Sequence, residues 1–131
     1  MKKSKKLFVS SMLSLSLAML LAVSVSAAPS SISGGVAGYN TSGSISMGSS
    51  SATGTTGTHA PNGIVSVSVS YTYAWGLVTD YYTVTGGNGN ANSGVSFTAS
   101  ASHVNPKSVR ASASHSVSYN GQTWTGSTST P

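Results

Sequence analysis

Between Gly63 and Trp75 the chain reads GIVSVSVSYTYAW, and this stretch decides the fold. From Val65 every odd position is large and apolar or aromatic (Val65, Val67, Val69, Tyr71, Tyr73, Trp75), with Ser66, Ser68, Ser70, Thr72 and Ala74 between them. A period of two sustained over eleven residues fits only a strand, which alone sends successive side chains to opposite faces. The stretch also has high β propensity, no charge and no proline, the properties of a segment able to join another strand in cross-β fashion. It therefore carries two expectations. Val65, Val67, Val69, Tyr71, Tyr73 and Trp75 are either the inner face of a central strand or an assembly strand at a sheet edge.

Working outward, Gly76-Leu77 fits a two-residue hairpin turn with glycine at its first central position. That turn pairs Trp75 with Val78, Tyr73 with Asp80, Tyr71 with Tyr82 and Val69 with Val84, and apolar meets apolar at three of the four pairs. It also turns Asp80, the only acid in the chain, inward beside Tyr73. Gly86 to Gly94, GGNGNANSG, reads as a polar loop, since Asn and Gly tolerate positive φ. A calcium site there is disfavoured because the loop has no carboxylate.

Beyond it lies an internal repeat, ASASH at Ala99 to His103 and again at Ala111 to His115. Val95, Phe97, Ala99 and Ala101 share parity with Val109, Ala111, Ala113 and Val117, which suggests a hairpin over 95–117 turned around Asn105-Pro106-Lys107. The shallow alanine faces call for a close opposite layer or for aromatics such as Tyr71, Tyr73 and Trp75. Tyr119-Asn120-Gly121-Gln122 is a type I′ turn signal that pairs Val117 with Trp124 and closes a hairpin over 109–126, after which a frayed tail is expected.

Upstream, residues 28–62 are rich in Gly, Ser and Thr, with Ile32, Val36, Tyr39, Ile45 and Met47 as sparse apolar points. Short strands at Gly35 to Tyr39 and Ser44 to Met47, joined through Asn40 to Gly43, compete here with a flexible linker. Ser49 to Asn62 reads as loop, closed by turn chemistry at Ala60 to Gly63. Residues 1–27 read as a cleaved signal peptide: Lys2, Lys3, Lys5 and Lys6 precede an apolar run, and Val25-Ser26-Ala27 puts small residues at a cleavage site.

Cleavage would change the electrostatics. Four of the six basic residues leave with the signal, so Lys107, Arg110 and Asp80 give the remainder a formal charge of +1. Two cations are too few to displace the counterions of a nucleic acid, so no nucleic-acid partner is expected. No membrane span is expected after cleavage. The absence of cysteine removes disulfides, so a secreted domain of this length must rely on burial and sheet hydrogen bonds. Its apolar supply is thin: after residue 27 there are ten Val, three Ile, one Leu and one Phe beside six Tyr and two Trp. Successive hairpins without any helical period indicate an all-β, single antiparallel β-sandwich of about 6–8 strands, or else a small barrel or meander, with residues 63–131 as its core region.

The inventory speaks against catalysis. One Asp and no Glu cannot supply paired carboxylates, zero Cys removes thiol chemistry, and no GxSxG elbow occurs. His59, His103 and His115 do not converge in the expected register, so neither a metal nor another cofactor is expected, and rim positions suit them better than a zinc site. Aromatic residues give the first positive signal, because ring and hydroxyl together suit weak polar ligands such as glycans. Tyr81, on the face opposite Tyr82, and Tyr119 and Trp124 are the candidate ligand-contact residues. The sequence thus points to a secreted, non-enzymatic interaction module of the cell surface or extracellular space, with a glycan or protein partner. Its alternatives are a self-associating matrix or fibre subunit and a bacteriocin-like antibacterial protein.

Overall fold

The structure, a computed structural model, describes residues 29–76, 80–91 and 93–131, with the side chains of 90 and 91 excepted; the expected signal peptide lies outside them. Eight strands form in chain order: β1 (Ser31–Val36), β2 (Tyr39–Met47), β3 (Ser51–Thr58), β4 (Ile64–Trp75), β5 (Asp80–Ala91), β6 (Gly94–Ser100), β7 (Lys107–Tyr119) and β8 (Gln122–Thr130). They build two antiparallel four-stranded sheets, ordered β1-β2-β3-β6 and β5-β4-β7-β8. This is the all-β sandwich that the alternation implies. Among the described residues no helix is long and apolar enough to cross a membrane.

β4 lies inside its sheet, with β5 on one side and β7 on the other. Its odd residues face the opposite sheet, and Val65, Val67, Val69, Tyr71 and Tyr73 are all buried. Both of its backbone edges are consumed, so it offers no edge to another molecule and is not the assembly strand that its composition allows. Trp75 departs from the core set. It sits where β4 leaves the sandwich and is 38% exposed.

The facing sheet works by being small. β3 turns Ala52, Thr56 and Thr58 inward, and Gly54 lies against the Val67 and Val69 side chains. This strand falls within the stretch expected to be loop, because an inner face of Ala, Gly and Thr carries no apolar period to read. β2 likewise runs straight through Asn40 to Gly43, and its hairpin with β1 turns instead at Ala37-Gly38, both at positive φ. The low-complexity segment therefore supplies three of the four strands of its sheet. A core filled by large residues from one layer needs little volume from the other.

Three further expectations are corrected. First, the β4–β5 register is displaced by two residues: Trp75 pairs with Asp80, Tyr73 with Tyr82, Tyr71 with Val84 and Val69 with Gly86. Inward and outward faces are unchanged by an even shift, which is why parity alone could not tell the two registers apart. Asp80 is consequently exposed at the strand end rather than beside Tyr73. Leu77, Val78 and Thr79, on which the short turn depended, lie outside the described residues.

Second, β5 continues through the expected Gly/Asn loop as far as Ala91, with Gly86 lying against the Phe97 ring of β6 where a side chain would collide. Third, residues 95–117 are not a hairpin: β6 pairs with β3, and β7 pairs with β4 in the other sheet. Both repeats turn alanines into the same core from opposite layers, so their shared parity reflects a common interior rather than direct pairing.

The hairpin of β7 and β8 does form as read. Val117 pairs with Trp124 and Tyr119 with Gln122, while Asn120 and Gly121 take φ of 51° and 75°. β8 runs on to Thr130 in register with Ala111, and Thr128 is buried, so the expected frayed tail is paired strand.

His115 is the buried exception to an otherwise apolar β7 face. Only 2% of it is exposed, not the rim position expected of it. Its Nδ1 lies 2.7 Å from Thr56 Oγ1 on β3 and its Nε2 lies 2.8 Å from Thr128 Oγ1 on β8, which ties the two sheets together through one ring. Gly43 of β2 lies against that ring, where a Cβ would fall 2.5 Å from its carbons.

Candidate functional site

The inward period of β4 runs beyond the core, and its rings continue outward as a column. Tyr71 and Tyr73 stack at 5.6 Å, and Tyr73 stacks on Tyr82 of β5 at 5.6 Å. His103, from the 101–106 crossover between sheets, lies 4.5 Å from the Tyr82 ring and 4.4 Å from the Trp75 indole, nearly parallel to the latter at 28°. Aromatic order thus passes without interruption from two fully buried tyrosines to a half-exposed tryptophan.

Hydrogen bonds fix the crossover on this column. The Tyr73 hydroxyl accepts from the Ser102 backbone N–H at 3.3 Å and also meets Ser102 Oγ at 3.0 Å and His103 Nδ1 at 2.8 Å. Tyr71 reaches Ser108 Oγ at 2.7 Å, and that hydroxyl donates to the carbonyl of Gly48 in the β2–β3 turn. Removal of the Tyr73 hydroxyl by Tyr73→Phe should cost about 1–3 kcal/mol, because it leaves polar partners unmatched at the core boundary. Faster amide exchange at Ser102, with that at Val67 less affected, is the expected signature.

The same end collects the charge. Asp80 pairs with Trp75. Ala74 pairs with Tyr81 on one side and Lys107 on the other, which places the tyrosine and the lysine on the outer face in one row. Arg110 stands opposite Thr72, separated from Lys107 along β7 by the irregularity at Thr72/Tyr73. Val104 is 78% exposed in the crossover, and Val109 is exposed at the irregularity. Among the described residues, one end therefore holds both Lys and Arg side chains, the one Asp, and four of the six exposed large apolar residues: Trp75, Tyr81, Val104 and Val109.

Elsewhere the outer faces are mostly small and polar, with Ile64, 63% exposed at the opposite end of β4, as the main exception. On the β5-β4-β7-β8 sheet, Gly87, Ser68, Ser114 and Ser127 make one row, and Gly89, Ser66, Ser116 and Thr125 the next. The other sheet repeats this with Ser31, Ser44, Thr55 and Ser96. The depression above the first pair of rows has small side chains and no charge with which to orient a ligand.

The three candidate contact residues do not come together. Tyr81 is 63% exposed at the charged end, as its parity implied. Trp124 and Tyr119 lie at the opposite end and turn inward, the indole against Gly34 and the Tyr119 ring edge-on to Tyr39 at 5.4 Å. Sequence reasoning missed His103, Val104, Lys107 and Arg110 as a group. Placed in and beside the bend of a hairpin over 95–117 they had no reason to approach Trp75, whereas the crossover and the pairing of β7 with β4 bring them there. Chemically the site has rings, cations and hydroxyls, and among the described residues no three His, Cys, Asp or Glu side chains gather as a metal cage.

Known proteins add no family. The chain matches no protein-family model, no curated protein and no solved structure.

Proposed function

We propose that the protein is an exported, non-enzymatic β domain that acts by surface contact, as an interaction module of the cell surface or extracellular space. The contact surface is the end that carries Trp75, Tyr81, Val104, Lys107 and Arg110. One observation carries this reading: among the described residues, all three charged side chains and four of the six exposed large apolar ones are gathered at a single end, while Ile64 and Tyr39 lie elsewhere. Aromatic residues and Arg are enriched where proteins meet partners, and a cluster of exposed apolar side chains needs a reason that scattered ones do not. The proposal is tested by co-sedimentation of the purified protein with intact bacterial cells. Tyr81→Ser combined with Arg110→Ser should reduce binding by about tenfold or more, as loss of a central ring-and-cation pair does at interfaces. Binding unchanged by that pair, yet abolished by enlarging Ser68 and Ser114 on the hydroxyl face, would overturn it.

A second reading, self-association, is favoured by the edges. Apart from Asp80 at the start of β5, the four edge strands contain no charged residue and no proline, which are the usual guards of an edge. Ala37 N–H to Gln122 Oε1 and Ser129 N–H to Pro29 O tie the β1 and β8 sides together. The twelve-residue β5 is then the edge best placed to receive a second copy. Concentration-dependent growth in size-exclusion chromatography supports this reading, and a monomer at all concentrations removes it.

A further inference from the structure

We infer that the occupant of the charged and aromatic end is the surface of an anionic lipid bilayer, which the protein meets without spanning it. The inference rests on the reading of that end as the contact surface and names its partner. One face of the Trp75 indole is taken by His103 at 4.4 Å, which leaves less ring for a stacked glycan, and the charge beside it favours an anionic partner. Trp75 is 38% exposed, and an amphipathic indole suits the headgroup region of a membrane. Tyr81 presents an apolar ring and a polar hydroxyl in the same way, 63% exposed.

Val104 lies in the crossover, between His103 stacked on the column and Asn105, which takes φ of 51°. Its side chain is 78% exposed, ready to enter the acyl boundary without first leaving a core. Lys107 shares the row of Tyr81, and Arg110 follows on the same face, so two cations stand beside the rings that would be immersed. Each cation close to an anionic leaflet strengthens binding by roughly fivefold. The hydroxyl faces carry no charge for such a surface to repel. Asp80, beside Trp75, is the one opposing group. Because the Tyr73 hydroxyl fixes the crossover in advance, little ordering is lost on docking.

The test is sedimentation of the purified protein with large unilamellar vesicles of phosphatidylglycerol and phosphatidylcholine, against vesicles of phosphatidylcholine alone. Binding is expected to the first and to be weak on the second, with loss at high salt as screening shortens the field. Lys107→Ser with Arg110→Ser should lower affinity by about 25-fold, two factors of about five. Asp80→Asn should raise it, a gain that a damaged fold does not produce. In a Trp124→Phe background the remaining Trp75 emission should shift to the blue on anionic vesicles. Equal binding to both vesicles, binding to neither, or no response to the double substitution would overturn the inference. If the tip variants lose cell binding while the native protein ignores vesicles, the lipid assignment falls and the surface-contact reading stands; cell binding indifferent to the tip removes both.

Discussion

Tyr71→Ala should cost about 3–5 kcal/mol, the range for deleting a buried aromatic ring, and close to the whole stability of a small domain. Tyr71 is 0% exposed, stacks on Tyr73 at 5.6 Å, and lies beside Ala111 of β7, which is too short to fill the space it would vacate. Its hydroxyl also holds Ser108, which in turn holds Gly48. The loss thus reaches both the core and the turn between β2 and β3. No disulfide exists to limit the damage, since the chain contains no cysteine. In urea, where small domains lose about 1–3 kcal/mol per molar, the midpoint should fall by about 2 M. Tyr71→Phe, which keeps the ring and removes only the hydroxyl, should cost about 1 kcal/mol. A Tyr71→Ala midpoint no lower than that of Tyr81→Ala would contradict the central position of β4.

Acid should destabilise the protein through His115. Burial holds its imidazole below the ordinary pKa of 6.5, because an uncompensated charge in the core is costly to desolvate. Both threonine oxygens can accept a hydrogen bond, so protonation need not break the Thr56 and Thr128 contacts, and desolvation is the governing cost. The unfolded chain binds a proton near pH 6.5 that the folded chain still refuses. Stability from this group is therefore fully present above about pH 6.5 and declines as pH falls below it, until the lowered folded pKa is reached. The slope within that window is at most about 1.4 kcal/mol per pH unit. His115→Gln should be less stable at neutral pH, because Thr56 and Thr128 lose their shared partner, but its stability should fall less steeply than that of the native protein as pH drops below 6.5. Urea midpoints measured from pH 7 to 5 for the native protein and His115→Gln decide the matter.

The parts of this fold that could be read in the sequence are those where one strand alone carries the information. Val65 to Tyr73 alternate because that strand supplies large side chains to the core, and Asn120-Gly121 marks a turn whose geometry is entirely local. The parts that could not be read depend on a partner. β3 shows no period because Ala52, Gly54 and Thr56 are small to suit Val67 and Val69, a fact visible only once the sheets are opposed. The alanine repeats looked like mates because an inner face has the same parity whichever sheet it belongs to. His115 was indistinguishable from a rim histidine until Thr56 and Thr128, 59 and 13 residues away, were brought to its two nitrogens.

The charged end was hidden for the same reason. Tyr81 could be placed on an outer face by parity, but its approach to Lys107 passes through Ala74, and His103 meets Trp75 only because residues 101–106 cross between layers. A chain with three formal charges after residue 27 then places all three at one end. Sandwich geometry gives no reason for that grouping, and the proposed contact with a partner would supply one.

Amide hydrogen exchange on the protein while it is held on a cell surface tests this claim most directly. Slowed exchange is expected over residues 102–110 and around Trp75 and Tyr81, with the Ser and Thr rows of both sheets unchanged. Slowed exchange along β5 or across the hydroxyl faces, with the charged end exchanging as it does in free solution, would contradict it.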